Sequence, residues 1–302
     1  DAMKYEALEW SVHPNPKRPE ERCIGLIKFN RPEALNAIDV RMRMELDVLC
    51  DEIRWNSHIK AVILTGEGRA FSAGGDVVTE AGPLGATDDY DMGIKGPYRE
   101  LAHYFFNDLR HQVLQRAFRK LEDLPPVTIA AINGWAVGIG LELCILCDLR
   151  VASDKAGLGE VAVPAGFVPE AGGCRNLPKL VGVGQALEMI LTGKRIDAEE
   201  ALRIGLVDRV VPHDSLLDEA FDLAGRISSN PYLSVRHAKN LVKMYWNANR
   251  TEEGSRKELE AVMEVTRTKD CQEGIRAFME KREPEYRGPY YENWPFGGAN
   301  GS

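Results

Sequence analysis

The sequence predicts an α/β core followed by a helical tail. Three observations carry this. Short apolar runs alternate with helical patterns up to about residue 211, glycine-rich turns sit between them, and beyond residue 214 only helical periodicity remains. Taken in order, the residues before Cys23 are polar and proline-rich (Pro14, Pro16, Pro19) and fit a turn or ragged hairpin, and CIGLIKFNR alternates as a strand does. Asp39 can cap a helix from Val40 to about Trp55, with Met42, Leu46, Leu49 and Ile53 at helical spacing. AVILTG and VTIAAI are continuous apolar runs, the pattern of strands buried on both faces. FSAGGDV is a glycine turn, a long amphipathic helix is expected from Tyr98 to about Leu124, and GWAVGIG turns into the helix LELCILC. Asp148 to Ala152 reads as a strand, and GKRIDAEEALRIGLVDRVV as a short helix and strand. DSLLDEAFDLAGRI, PYLSVRHAKNLVKMYW and TEEGSRKELEAVMEVTRT then read as helices, and the last residues, from Tyr286 on, show no periodicity.

Composition narrows the function. The chain has 302 residues and a net charge of −8, with 44% hydrophobic and 28% charged residues. These are values of a soluble folded protein, and the acid excess argues against a nucleic-acid binder, which would carry a basic stripe. The most apolar stretch, Val127 to Leu146, is broken by Asn133, Gly134, Gly138, Gly140 and Glu142, so it makes a poor membrane span. No leader segment is visible in DAMKYEALEWSVHPN, and the six scattered cysteines read as free thiols, so a reducing, cytoplasmic compartment is expected. Cys144 and Cys147 form a CxxC inside an apolar helix, which fits buried packing better than redox work. No metal-ligand spacing recurs.

The two glycine turns carry the chemistry. Each ends a buried strand and opens a helix, where the first N–H groups lack intrahelical acceptors. Two such N–H groups aimed at one point would make an oxyanion hole. There is no phosphate-loop pattern and no GxGxxG spacing. Glu142 follows the second turn inside an otherwise apolar helix, where a carboxylate is costly unless paired or used.

These segments resemble the enoyl-CoA hydratase/isomerase family, the crotonase superfamily. The resemblance runs through FNRPEALNAI (29–38), AVILTGEGRAFSAGGDV (61–77), INGWAVGIGLELCILCDLRVAS (132–153), PEAGGCRNLPKLVG (169–182), LTGKRIDAEEALRIGLVDRVV (191–211) and AFMEKREPEYRG (277–288), in the family order. It implies a spiral of repeated ββα units over residues 1–213 and a C-terminal helical oligomerisation region over 214–302, assembling trimers or hexamers. It implies an acyl-CoA thioester as substrate, with coenzyme A part of that substrate and no separate cofactor, metal, nucleic acid or membrane. The oxyanion donors carried over are the amides of Gly75 and Ile139. The adenine end of CoA is expected along Ala34, Leu35, Ala73, Gly74, Asp76 and Val77, and Phe278 and Lys281 lie in a segment that can reach a neighbour's CoA. Apolar stripes on the C-terminal helices (Leu216, Leu217, Ala220, Leu223) also suggest oligomerisation.

The resemblance further implies two glutamates for hydration. Glu142 matches one. The other falls on Ala162, and Glu160 is two residues early, on the same face of an extended segment but about 7 Å along it. Glu170 offers a substitute acid, so the expected pair is Glu142 and Glu170. Addition of water to an enoyl-CoA is the first reading. A double-bond isomerase using Glu170, a ring-opening hydrolase of a cyclic acyl-CoA, and an RNA-binding family member stay open beside it. His103, Tyr104 and His111, in the long segment after the first turn, are further candidates on the acyl side.

Overall fold

A computed structural model describes residues 5–76, 114–165, 167–247 and 268–286, without the side chains at 245–247, 272, 278 and 279. Two sheets form the frame. The larger has strands in the order β1 (Leu8–Asn15), β2 (Arg18–Phe29), β3 (Ala61–Gly66), β5 (Val127–Ile132), β7 (Leu149–Ser153) and β10 (Arg209–Val211). From β2 onward its neighbours are parallel, and β1 returns antiparallel as the expected ragged hairpin, with register shifts around Pro14. The smaller sheet has the order β4 (Ala70–Ser72), β6 (Trp135–Val137), β8 (Gly157–Gly159) and β9 (Arg195–Asp197). β4, β6 and β8 are parallel.

The two sheets are linked by one recurring step. A long strand of the large sheet turns at once into a short strand of the small sheet: β3 into β4, β5 into β6, β7 into β8. After β6 the chain enters the helix Ile139–Leu146, and after β8 it reaches the helix Gly173–Val181. These are the repeated ββα units implied by the family resemblance. The repeat lives in the topology and not in residue identity, because each turn solves the same backbone problem with different side chains.

Period-two alternation divides the large sheet's side chains between two cores. On one face Ile27, Phe29, Val62, Leu64, Ala130, Ile132 and Ala152 pack in the main core, with the helix Val40–Trp55 and a helix over 114–122. On the other face Ile24, Leu26, Ala61, Ile63, Ile129, Ala131 and Val151 pack against Leu216, Ala220 and Ala224 of the helix Leu216–Ser228. Of the four residues of the stripe on that helix, Leu216 and Ala220 are buried on the chain's own sheet. Leu217 is exposed and Leu223 only partly buried. Residues 216–228 complete the large sheet's second face.

The Asp39 cap is present as expected. Its side chain accepts from the Met42 amide at 2.8 Å. The helix Tyr232–Asn247 is pinned to the core by Lys239 and Lys243, which both reach Asp148. Among the described residues all six cysteines are free thiols, and Cys144 and Cys147 are buried, each donating to a carbonyl of its own helix. No helix among the described residues is long and apolar enough to cross a membrane, and none of their acidic, histidine or cysteine side chains cluster as metal ligands. His103, Tyr104, His111, Val77, most of the helix expected from Tyr98 and the TEEGSRKELEAVMEVTRT helix lie outside the described residues.

Candidate active site

The carboxyl ends of β4, β6 and β8 open onto one cleft of about 150 Å³. This is where open parallel sheets offer unpaired backbone groups to a ligand. Each strand contributes one chemical element. After β4 the chain runs through Ala73, Gly74 and Gly75; after β6 through Gly138 and Ile139; after β8 directly into Glu160. All of these line the cleft.

The first two contributions are backbone amides. Ile38 donates to the Gly74 carbonyl at 2.8 Å and accepts from the Asp76 amide at 3.2 Å, so it uses the groups on either side of Gly75. The Gly75 N–H is therefore not used in that bridge, and Gly75 lines the cleft. Ile139 is the first residue of its helix, so its N–H has no acceptor within the helix. The residue before each donor has positive φ, +97° at Gly74 and +53° at Gly138, which an L side chain adopts poorly. A Cβ on Gly74 would lie 2.9 Å from the Val137 carbonyl and 3.8 Å from the Ile139 nitrogen, so the two turns are in direct contact.

Glu142 lies one turn into the helix and is fully buried. Its Oε2 accepts from the Ala171 amide at 2.5 Å, just ahead of the helix Gly173–Val181. Its Oε1 has no hydrogen-bond partner among the described residues. Burial pushes this carboxyl up to about 8, helped by the charges of Glu160 and Glu170 and opposed by the Ala171 and Gly173 amides.

Glu160 is the residue that the sequence reading passed over. It is 1% exposed; Oε1 meets the Ala162 amide at 3.4 Å, and Oε2 has no partner among the described residues. Burial pushes it up to about 7. Its place follows from register. Val137 pairs with Gly159 in the parallel β6–β8 ladder, and the Gly138 amide donates to the Gly159 carbonyl at 2.9 Å. The next residue on β8's side is therefore level with the Gly138–Ile139 turn. The available signal was GLGE itself, a third short strand ending at the cleft like FSAGG and GWAVG.

Glu170 is half-buried on the same cleft wall. It also borders a second cavity of about 240 Å³ with Gln115, Phe118, Arg119 and Arg175. The expected partner of Glu142 is thus present, but a more deeply buried acid stands with them. Around the expected CoA segment, the Ala73 amide donates to the Leu35 carbonyl at 2.9 Å, which joins the turn carrying Ala34 and Leu35 to the Ala73–Gly75 turn. Ala73 and Gly74 line the cleft. The Asp76 carboxylate is buried and paired with Arg31 at 2.9 Å, so it braces the turn and is not offered to a ligand. Lys281 follows the helix Lys269–Glu280 and is not part of this chain's cleft. The nearby Pro284 and Tyr286 carbonyls accept from Arg18, at the start of β2. Phe278 lies in that helix, its side chain outside the description.

Two glycine turns and two buried acids lining one cleft at the strand ends of a ββα spiral define the class: a crotonase fold. The family model described as enoyl-CoA hydratase/isomerase matches residues 19–289. The short-chain-enoyl-CoA hydratase of Clostridium acetobutylicum is 35% identical over 267 residues, covering 88% of this chain and 95% of that protein. The mitochondrial enoyl-CoA hydratase of Pongo abelii is 32% identical over 271 residues, covering 90% and 86%. The crystal structure of an enoyl-CoA hydratase from Bacillus anthracis superposes with a TM-score of 0.80 at 33% identity, covering 93% of this chain and 99% of that one. This chain belongs to the enoyl-CoA hydratase/isomerase family.

Proposed function

We propose that this protein adds water across the double bond of an α,β-unsaturated acyl-CoA thioester. The observation that carries this reading is Glu142, a buried carboxyl with one unengaged oxygen in the cleft that also receives the Gly75 and Ile139 turns. The thioester oxygen would accept from those two amides. Negative charge that develops on it as water adds at Cβ is then held by fixed dipoles in a water-poor site. Glu142, near neutrality in its proton affinity, is suited to exchange a proton with water or with Cα. CoA itself enters as part of the substrate, along the Ala34–Leu35 turn and the backbone of Ala73 and Gly74. Trimers or hexamers and a cytoplasmic setting belong to this reading as expectations from the family.

A second reading is a double-bond isomerase. Glu170 favours it, because a second carboxylate on the same wall could carry a proton between two carbons of the acyl chain. Incubation with enoyl-CoA, 3-enoyl-CoA and cyclic acyl-CoA thioesters, followed by mass spectrometry, separates these. A gain of one water without chain cleavage supports the hydratase. An unchanged mass with a shifted double bond supports the isomerase, and a ring-opened product supports the hydrolase.

A further inference from the structure

Ala162 leaves the usual second-glutamate position without a carboxyl, yet the cleft still contains a second buried acid. Glu160 reaches it from the end of β8, level with the Gly138–Ile139 turn. Glu142 Oε1 and Glu160 Oε2 are both buried, both without a hydrogen-bond partner among the described residues, and both on residues that line the cleft. A fold does not keep two unengaged carboxylate oxygens in one small cavity for stability, because each costs free energy that pairing or an apolar side chain would remove. Between Glu160 and Glu170 this wall is Val161, Ala162, Ala165, Phe167, Val168 and Pro169, which offer a water no side-chain polar group.

We propose that Glu160 is the second acid–base residue of this site, and that Glu142 and Glu160 hold between them the water that adds to the substrate. This rests on the hydratase reading. The steps balance with one proton shared by the pair. The ionised member takes a proton from water as the water oxygen bonds to Cβ. The π electrons of the double bond move into the enolate, whose charge lies on the thioester oxygen between the Gly75 and Ile139 amides. The protonated member then gives its proton to Cα as the enolate collapses. The product carries OH on Cβ and H on Cα, and the pair again holds one proton, now on the other carboxyl. Proton affinities near 7 and 8 suit such sharing at neutral pH. Among the described residues the other titratable groups that face the pair are Glu170, beside Glu142, and the Cys174 thiol, which feels both charges.

The test is hydration of crotonyl-CoA by the full chain. Glu160→Gln should lower kcat by roughly two to four orders of magnitude, leave KM within about threefold, and remove one limb of the pH profile. Glu160→Asp keeps the charge, so it should lose kcat yet retain both limbs; it also serves if the Gln variant does not fold. Glu160→Gln turnover within about threefold of wild type, or a loss that falls on KM alone, would overturn the assignment of Glu160 while leaving the hydratase reading in place. A wild-type protein that adds water to no enoyl-CoA overturns that reading, and the assignment with it.

Discussion

Glu142 lies in the first turn of the helix Ile139–Leu146, and Asp148 lies two residues beyond its last turn. Glu142 is fully buried and Asp148 largely so, and their surroundings are opposite. Asp148 Oδ2 accepts from the Thr128 amide at 2.8 Å and hydroxyl at 3.1 Å, and its two oxygens pair with Lys239 and Lys243 at 2.7 Å each. Burial works against its charge, but the two lysines prevail and hold its proton affinity below the usual carboxylate range. Glu142 is more deeply buried and has no cation beside it, so it is pushed up. The comparison teaches that burial alone does not mark a working acid. A carboxyl with both oxygens ion-paired holds the fold together, and one with neither a cation nor a partner on its second oxygen is available for chemistry.

The comparison can be broken at either end of the helix. The largest effect on activity is expected from Glu142→Gln: a loss of roughly two to four orders of magnitude in kcat, with CoA-thioester binding by calorimetry nearly unchanged. Full activity on the best substrate would refute its role. Asp148→Asn should do the reverse. It leaves Lys239, whose side chain is 6% exposed, buried without its counter-charge, at a cost of about 3–5 kcal/mol in chemical denaturation. Turnover per folded molecule should stay near wild type; an equal collapse of activity would erase the distinction.

A pH series sharpens the same contrast. The folded-state pKa of Glu142 is raised to about 8 from 4.5, so between those values the unfolded chain has released a proton that the folded chain keeps. Stability from this group therefore falls as pH rises through that window. Glu142→Gln removes the penalty, and its melting temperature should gain on wild type steadily from pH 5 to pH 8. Asp148 has the opposite sign: its contribution is present above its unfolded pKa, near 3.8, and is lost as pH falls through the lowered folded value. A parallel melting curve for wild type and Glu142→Gln across pH 5 to 8 would show that Glu142 ionises freely.

Two smaller effects concern the shape of the cleft. A Cβ on Gly173 would lie 2.6 Å from Glu142 Oε1, so Gly173→Ala should displace that carboxyl and lower kcat by about tenfold to a hundredfold. An unchanged kcat would mean that the carboxyl's place is not critical. Glu170→Gln should cost the hydratase less than about threefold, since Glu142 and Glu160 remain. A collapse as deep as that of Glu142→Gln would transfer the chemistry to Glu170 and favour the isomerase.

The sequence by itself determined the elements whose signals are local. AVILTG and VTIAAI are the strands Ala61–Gly66 and Val127–Ile132, buried at every position, because a continuous apolar run bounded by polar turns has few other solutions. The Asp39 cap, the glycine turns before Gly75 and Ile139, and the lone acid at 142 were equally legible. Tertiary structure decided the rest. Which residues of the stripe Leu216, Leu217, Ala220 and Leu223 meet the chain's own sheet depends on strands as much as almost two hundred residues earlier: Leu216 and Ala220 do so fully, Leu223 in part, and Leu217 stays exposed. Whether Glu160 entered the cleft depended on the pairing of Val137 with Gly159, a contact between two three-residue strands too short to show periodicity. A one-residue slip in that ladder would turn the side chain to the other face of the sheet. Spacing along the chain measures distance from neighbours in sequence; the acid's place is set by register against a strand that is not one of them.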